Sequence, residues 1–186
     1  MKICPNIGVV GCGYWGPNLI RNFRSLADCR MKTMCDVSEQ RLKHLKLLYP
    51  EVEGETNYER MLGEAGLDAV VIATSVKYHF PMAKASLLAG KHTLIEKPLA
   101  SSTAQCEELI EIAAAKGLVL MVGHTFLYSP AVRRIKEIVD TGDIGEIYIY
   151  ARAASISAFI KKISTWPGIS PRTIFPSYYI FCKINP

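Results

Sequence analysis

The feature that most constrains this 186-residue chain is six residues long: Gly11-Cys12-Gly13-Tyr14-Trp15-Gly16. Three glycines at this spacing are weak evidence alone, because they recur in glycine turns of other α/β folds. Here the context is fuller. Residues 3–10 read as a strand before the glycines, and residues 14–26 follow with helical periodicity, Leu19, Ile20 and Phe23 sharing a face. Residues 31–35 read as a second strand, and Asp36 stands at its end, 20 residues beyond Gly16. This is the arrangement a dinucleotide requires. Gly11 permits the tight turn, Gly13 lets backbone approach the pyrophosphate, and Gly16 lets helix and strand pack closely. The helix N-terminus offers unpaired N–H groups to the phosphates. Asp36 can accept hydrogen bonds from the adenosine ribose and repels a 2′-phosphate, so the expected cofactor is NAD rather than NADP.

The pattern then alternates. Ser38 caps a helix carrying Leu42, Leu45 and Leu48, and residues 56–65 hold a short third segment and helix. Residues 67–73 (LDAVVIA) form a continuous apolar run rich in β-branched residues, as in a strand buried on both faces. A helix over 81–88 closes at Gly90, and a strand follows at 91–95. Ser101, Ser102 and Thr103 offer an N-cap to a helix with Cys106, Leu109, Ile110 and Ala113 at core spacing. Gly117 ends it, and 118–122 is again apolar. Such alternation predicts an α/β fold, a doubly wound parallel sheet over residues 1–125. Residues 126–153 read as the start of a second α/β domain, with a helix over 130–139 (Val132, Ile135, Ile138 and Val139 inward) and one strand from 147.

Charge and cysteines narrow the partners. The first 150 residues hold 17 Lys/Arg and 17 Asp/Glu, so the net charge of +5 comes entirely from Arg152, Lys161, Lys162, Arg172 and Lys183. A neutral body with a basic tail predicts no nucleic-acid partner. No apolar run approaches the ~20 residues of a membrane span, and no signal-peptide pattern opens the chain. The six cysteines form no C-x-x-C pair and no zinc spacing. They read as reduced thiols of a cytoplasmic protein, with no metal site.

Two further clusters lie just past strand ends, where open α/β sheets bind ligands. The first is Thr74, Ser75, His79 and Glu96-Lys97-Pro98. A lysine beside a nicotinamide can hydrogen-bond a substrate hydroxyl and assist its proton transfer; taken singly, Lys97 also fits a solvated loop. His79 fits a helix-entry or packing residue better than an acid or base. The second is Gly123-His124-Thr125-Phe126. His124 either faces the cofactor or is a buried histidine satisfied by backbone.

Together GCGYWGPNL (11–19), CDVSEQRL (35–42), AGKHTLIEKPLA (89–100) and GHTFLYSPAV (123–132) resemble the Gfo/Idh/MocA oxidoreductases, over residues 3–153. Within that family they are most similar to the UDP-N-acetylglucosamine and UDP-glucuronate 3-dehydrogenases. The resemblance implies a Rossmann domain followed by a mixed α/β domain that serves substrate binding and homo-oligomerisation. It also implies hydride transfer between a sugar carbinol carbon and nicotinamide. Lys97 is then the catalytic lysine, and Gly11, Gly13, Tyr14, Trp15, Gly16, Asp36, Thr74, Ser75, His79, Glu96, Lys97 and His124 make up the cofactor surroundings. Ser75 replaces a proline common in the family. The alternative is a nucleotide-binding module without catalysis.

Beyond residue 153 the family pattern stops. Residues 154–186 lack acids and periodicity, and the family segment resembling D-L-A-P-H-D, with a second catalytic histidine, is missing. A frame displaced by one base restores it. The single Trp166 codon forces alanine next, and permissible wobble bases turn 156–177 into L-G-L-Y-Q-K-D-I-N-V-A-W-D-L-A-P-H-D-I-S-I. The expectation is that 154–186 is an aberrant, frameshifted tail and that this truncated chain is catalytically impaired. A stretch not selected to fold has no reason to be patterned.

Overall fold

The computed structural model describes residues 4–142, 147–151, 174–175 and 178–182. Residues up to His124 form one compact unit and those from Thr125 a second. The first unit is a six-stranded parallel sheet in the order β3-β2-β1-β4-β5-β6. Its strands are β1 (Asn6–Val10), β2 (Arg30–Cys35), β3 (Glu53–Glu55), β4 (Ala69–Ile72), β5 (His92–Ile95) and β6 (Leu120–Val122). Its helices are α1 (Gly16–Ser25), α2 (Glu39–Leu48), α3 (Tyr58–Leu62), α4 (His79–Leu88) and α5 (Thr103–Ala115).

Two cores show that the sheet is wound on both faces. On one, Ile20 of α1 and Leu42 and Leu45 of α2 pack against Ile7, Val9, Met34 and Val71. On the other, Met61, Ala83, Leu87, Leu109 and Ala113 from α3, α4 and α5 pack against Val10, Val70, Ile72 and Ile95. Val70, Val71 and Ile72 point alternately to the two layers and all are buried, as the continuous β-branched run predicts. The order in which strands are added switches sides between the parallel neighbours β1 and β4, which opens a crevice at their carboxyl ends.

The capping signals sit where the sequence puts them. Ser38 accepts a hydrogen bond from the Arg41 N–H and Ser102 from the Gln105 N–H, each opening its helix. Three side chains expected to face the core do not. Leu48 and Ile110 are more than half exposed, on the outer sides of α2 and α5. Met121 is exposed on β6, which is an edge strand of the sheet among the described residues.

The second unit contains a 3-10 turn (Thr125–Tyr128), α6 (Pro130–Asp140) and an antiparallel sheet in the order β7-β9-β8: β7 (Ile147–Ala151), β8 (Ile174–Phe175) and β9 (Tyr178–Cys182). On α6, Val132, Ile135, Ile138 and Val139 are half-buried rather than buried. β8 and β9 lie in the stretch read as an unpatterned tail. Tyr178-Tyr179-Ile180-Phe181 is aromatic and β-branched, a composition that suits strands without alternation. Of the segment read in the displaced frame, 156–177, all but 174–175 lies outside the described residues.

Candidate functional site

The parallel ladder continues one residue past each strand. The N–H of Gly11 donates to Cys35 O (2.8 Å), that of Ala73 to Val10 O (2.8 Å), that of Glu96 to Ile72 O (2.9 Å) and that of Gly123 to Ile95 O (2.8 Å). Four loops therefore start level along the carboxyl edge of the sheet, and each carries residues singled out from the sequence.

The first loop is shaped by its glycines. Gly11 has φ +94°, and a Cβ there would meet the Ala73 carbonyl at 2.7 Å. At Gly16, a Cβ would lie 2.0 Å from the Gly11 carbonyl oxygen, so α1 starts against the turn itself. Gly13 is the reverse case, with nothing within 4 Å of an added Cβ. The loop is thus closed at Gly11 and Gly16 and open at Gly13. α1 begins at Gly16, after Trp15 as N-cap and without a side-chain cap; Pro17 has no N–H and the Asn18 N–H donates to Trp15 O (3.1 Å), so the Gly16 N–H is what the helix start offers to the open side. Tyr14 and Trp15 stack, ring centroids 6.3 Å apart, with Tyr14 92% exposed.

Asp36 is buried, and both its oxygens are engaged by backbone. Oδ2 accepts the Cys12 N–H at 2.7 Å and Oδ1 the Ser38 N–H at 2.8 Å. The carboxylate therefore holds the glycine loop as well as facing the crevice. Burial, with the Asp36 charge as a smaller contribution, pushes the Cys12 thiol up to about 12. Burial does the same to Cys35, also to about 12. Neither thiol is a nucleophile at neutral pH.

A cavity of about 700 Å3 brings together Gly11, Gly13, Tyr14, Trp15, Asp36, Thr74 and Ser75. Its other walls include Val37, Arg41, Thr56, Tyr58, Tyr78 and Met82. Tyr58 is fixed there by donating from its hydroxyl to Met82 O at 2.8 Å, and burial raises its pKa. Sequence reasoning missed these walls. Arg41 had a legible signal, five residues after Asp36 in the first turn of α2; Tyr58 and Met82, brought in by tertiary packing, had none.

Glu96, Lys97 and His124 stand on the two neighbouring loops and do not line this cavity. Lys97 is exposed, its N–H directed at Glu96 Oε2 (3.3 Å), and the half-buried Glu96 carboxyl lies close against Gly123. His124 is exposed, which removes the buried alternative. His79 is the packing residue at a helix entry that its sequence position favours, and it does not line the cavity with the other residues of the expected cofactor surroundings. It is 1% exposed, with Nδ1 2.7 Å from Pro98 O and Nε2 3.0 Å from Thr74 O. Its ring sits between two backbone carbonyls, donating its N–H to one of them, and does not line the cavity. It ties the loop after β4 to the loop that carries Lys97.

The model for the oxidoreductase family with an NAD-binding Rossmann fold, Gfo/Idh/MocA, matches residues 5–124, the whole of this site. The chain belongs to the Gfo/Idh/MocA family. Among curated members it is 38% identical over 113 residues to a dTDP-3,4-didehydro-2,6-dideoxy-alpha-D-glucose 3-reductase of Streptomyces violaceoruber, covering 61% of this chain and 31% of that protein. It is 32% identical over 143 residues to inositol 2-dehydrogenase 1 of Saccharopolyspora erythraea, covering 75% and 42%. Among solved structures, a 3-ketoreductase from Actinomadura kijaniata in complex with NADP and TDP-benzene superposes with TM-score 0.74 at 28% identity, covering 81% of this chain and 46% of that one. The chain spans less than half the length of each of these Gfo/Idh/MocA relatives. They support sugar, nucleotide-sugar and cyclitol chemistry for the family rather than the UDP-sugar branch in particular. Among the described residues no helix is long and apolar enough to cross a membrane, and no group of three or more His, Cys, Asp or Glu is placed to hold a metal.

Proposed function

We propose that residues 1–124 hold NAD across the carboxyl edge of the sheet, as the cofactor half of a dehydrogenase acting on a CH–OH group of a sugar or nucleotide sugar. The observation that supports this most is the pairing of an open Gly13 with an anchored Asp36. The pyrophosphate has room beside Gly13 and the Gly16 N–H at the start of α1, and the ribose hydroxyls reach the lone pairs of Asp36 that backbone leaves free. The residues present fit the cofactor. Bound there, the nicotinamide supplies a hydride acceptor.

The chain's own groups do the rest. Thr74 and Ser75 line the crevice wall next to Ala73, toward β5. Lys97, exposed on the adjoining loop, would hydrogen-bond the substrate hydroxyl through Nζ, orient it and pass its proton on to solvent as the carbinol carbon is oxidised. Glu96, pressed against Gly123, holds the start of that loop. Pyranose rings carried on dTDP or UDP, and inositols, are the substrates to screen.

One observation favours a second reading: Lys97, Glu96 and His124 lie off the cavity that takes the cofactor. A module that binds nucleotide without turnover fits that separation. Purified chain, NAD and a panel of nucleotide sugars and inositols separate the two. NADH formation that is lost in Lys97→Ala supports the dehydrogenase. Saturable NAD binding with no NADH formation on any panel member supports the binding module.

A further inference from the structure

The cysteines divide once they are placed in the fold. Cys12 and Cys35 are buried in opposite layers of the sheet, and Cys106 stands apart on α5. Cys4 and Cys29 instead meet at the amino end of the sheet. There β1 and β2 run side by side, with Asn6 paired to Arg30 and the Arg30 N–H donating to Pro5 O at 2.9 Å. Cys4 precedes Pro5 and Cys29 precedes Arg30. One strand spacing and one residue of rise separate them, about 6 Å between Cα atoms. A disulfide spans roughly 4.4–6.8 Å between the same atoms.

The two thiols differ in access. Cys4 is exposed, whereas Cys29 is half-buried, its Sγ donating to Phe23 O (3.3 Å) in the last turn of α1. Burial, and then the charge of a Cys4 thiolate, raise the Cys29 pKa, which places the two sulfurs within reach of each other's charge. An accessible thiol beside a sheltered one is the arrangement of a reactive cysteine and its resolving partner. Neither lines the cavity at the carboxyl edge.

We propose that Cys4 and Cys29 are a redox pair, a disulfide site that closes reversibly when the protein meets a peroxide. The Cys4 thiolate attacks hydrogen peroxide, the O–O bond breaks, and Cys4 becomes a sulfenic acid as hydroxide leaves. Cys29 then attacks the Cys4 sulfur, the S–O bond breaks, and the departing oxygen takes up the Cys29 proton as water. In sum, two thiols and one peroxide give one disulfide and two waters; sulfur is oxidised and peroxide oxygen reduced. A small thiol such as glutathione reverses the link by exchange. Disulfides of this transient kind are the ones a reducing compartment tolerates. The link closes residues 4–29, which hold β1, the glycine loop and α1, into one loop. It stabilises the fold by restricting the unfolded chain and leaves the carboxyl edge as it was.

The test treats the full 186-residue chain with hydrogen peroxide, alkylates the remaining thiols and digests with trypsin without reductant. Peptides 3–21 and 25–30, which carry Cys4 and Cys29, should appear joined, two hydrogens lighter than their sum, and dithiothreitol should part them. Cys4→Ser should abolish the joined species, although Cys12 remains in peptide 3–21. Cys29→Ser should leave Cys4 as a sulfenic acid that dimedone traps. The oxidised unmodified chain should melt about 5 °C or more above the reduced one. Its affinity for NADH should not change. Cys4 carried on to sulfinic acid in the unmodified chain, with no link to Cys29, overturns the proposal. So does Cys4 joined to any other cysteine, of the same or a second copy, or a joined species that survives in Cys4→Ser.

Discussion

A Cβ on Gly16 would stand 2.0 Å from the carbonyl oxygen of Gly11, while a Cβ on Gly13, three residues earlier, would meet nothing. The two glycines therefore make opposite predictions. Gly16→Ala forces backbone to move, at a cost of about 1–3 kcal/mol, and displaces α1 from the loop. The thermal midpoint and NADH binding should both fall. Gly13→Ala should melt like the unmodified chain yet bind NADH more weakly, because the new methyl fills the phosphate space. Matched behaviour of the two variants in melting and titration would contradict this division of roles.

Asp36→Ala removes the acceptor of the Cys12 and Ser38 N–H groups along with the ribose partner. NADH affinity should drop by about tenfold or more, at the scale of hydrogen bonds to a charged group. NADPH should lose less, because the repulsive carboxylate goes too, and the preference for NADH should narrow. Calorimetric titration with both cofactors measures this. An unchanged ratio of affinities would mean that Asp36 does not face the ribose.

His79→Ala removes the ring between the Thr74 and Pro98 carbonyls and the N–H it donates to one of them, at about 1–3 kcal/mol for the buried carbonyl left unpaired. The urea midpoint should fall. Amide exchange should accelerate at residues 73–75 and 96–100 together, because one ring links both loops. Acceleration in only one of these segments would show that the bridge does not couple them.

The buried thiols give the fold an alkaline limit. Cys12 and Cys35 lose their protons near 9.0 when the chain is unfolded and near 12 when it is folded. The unfolded chain thus releases protons first, so stability is fully present below pH 9 and is lost as pH rises from 9 toward 12. Urea midpoints measured at pH 8 and pH 10.5 should differ, with the lower value at pH 10.5. Cys12→Ser is not a neutral control, since it buries a hydroxyl, but Cys35→Ala should flatten part of the slope.

The sheet and the glycine loop were legible because local signals agreed with the global fold. Gly11 needs a positive φ, Val70 to Ile72 are β-branched and buried on both faces, and Ser38 and Ser102 cap where they should. What escaped was whatever depends on which neighbour a face meets. Ile110 has core spacing but looks outward, and Met121 is apolar on an edge strand. His79 has the chemistry of a site residue and the surroundings of a packing residue, and only the position of two carbonyls distinguishes these. Tyr58 and Met82 reach the cavity wall only through tertiary packing, whereas Arg41, five residues after Asp36, stood at a spacing that could have been read.

The central claim is that residues 1–124 bind a dinucleotide through Gly13 and Asp36. The most direct measurement is a fluorescence titration of the 186-residue chain with NADH, in the presence and absence of NAD, with Gly13→Ala run in parallel. NADH binding should be saturable, displaced by NAD and weakened by Gly13→Ala, whose circular dichroism should stay that of the unmodified chain. A folded chain that shows no saturable NADH binding, or whose binding Gly13→Ala leaves untouched, would contradict it.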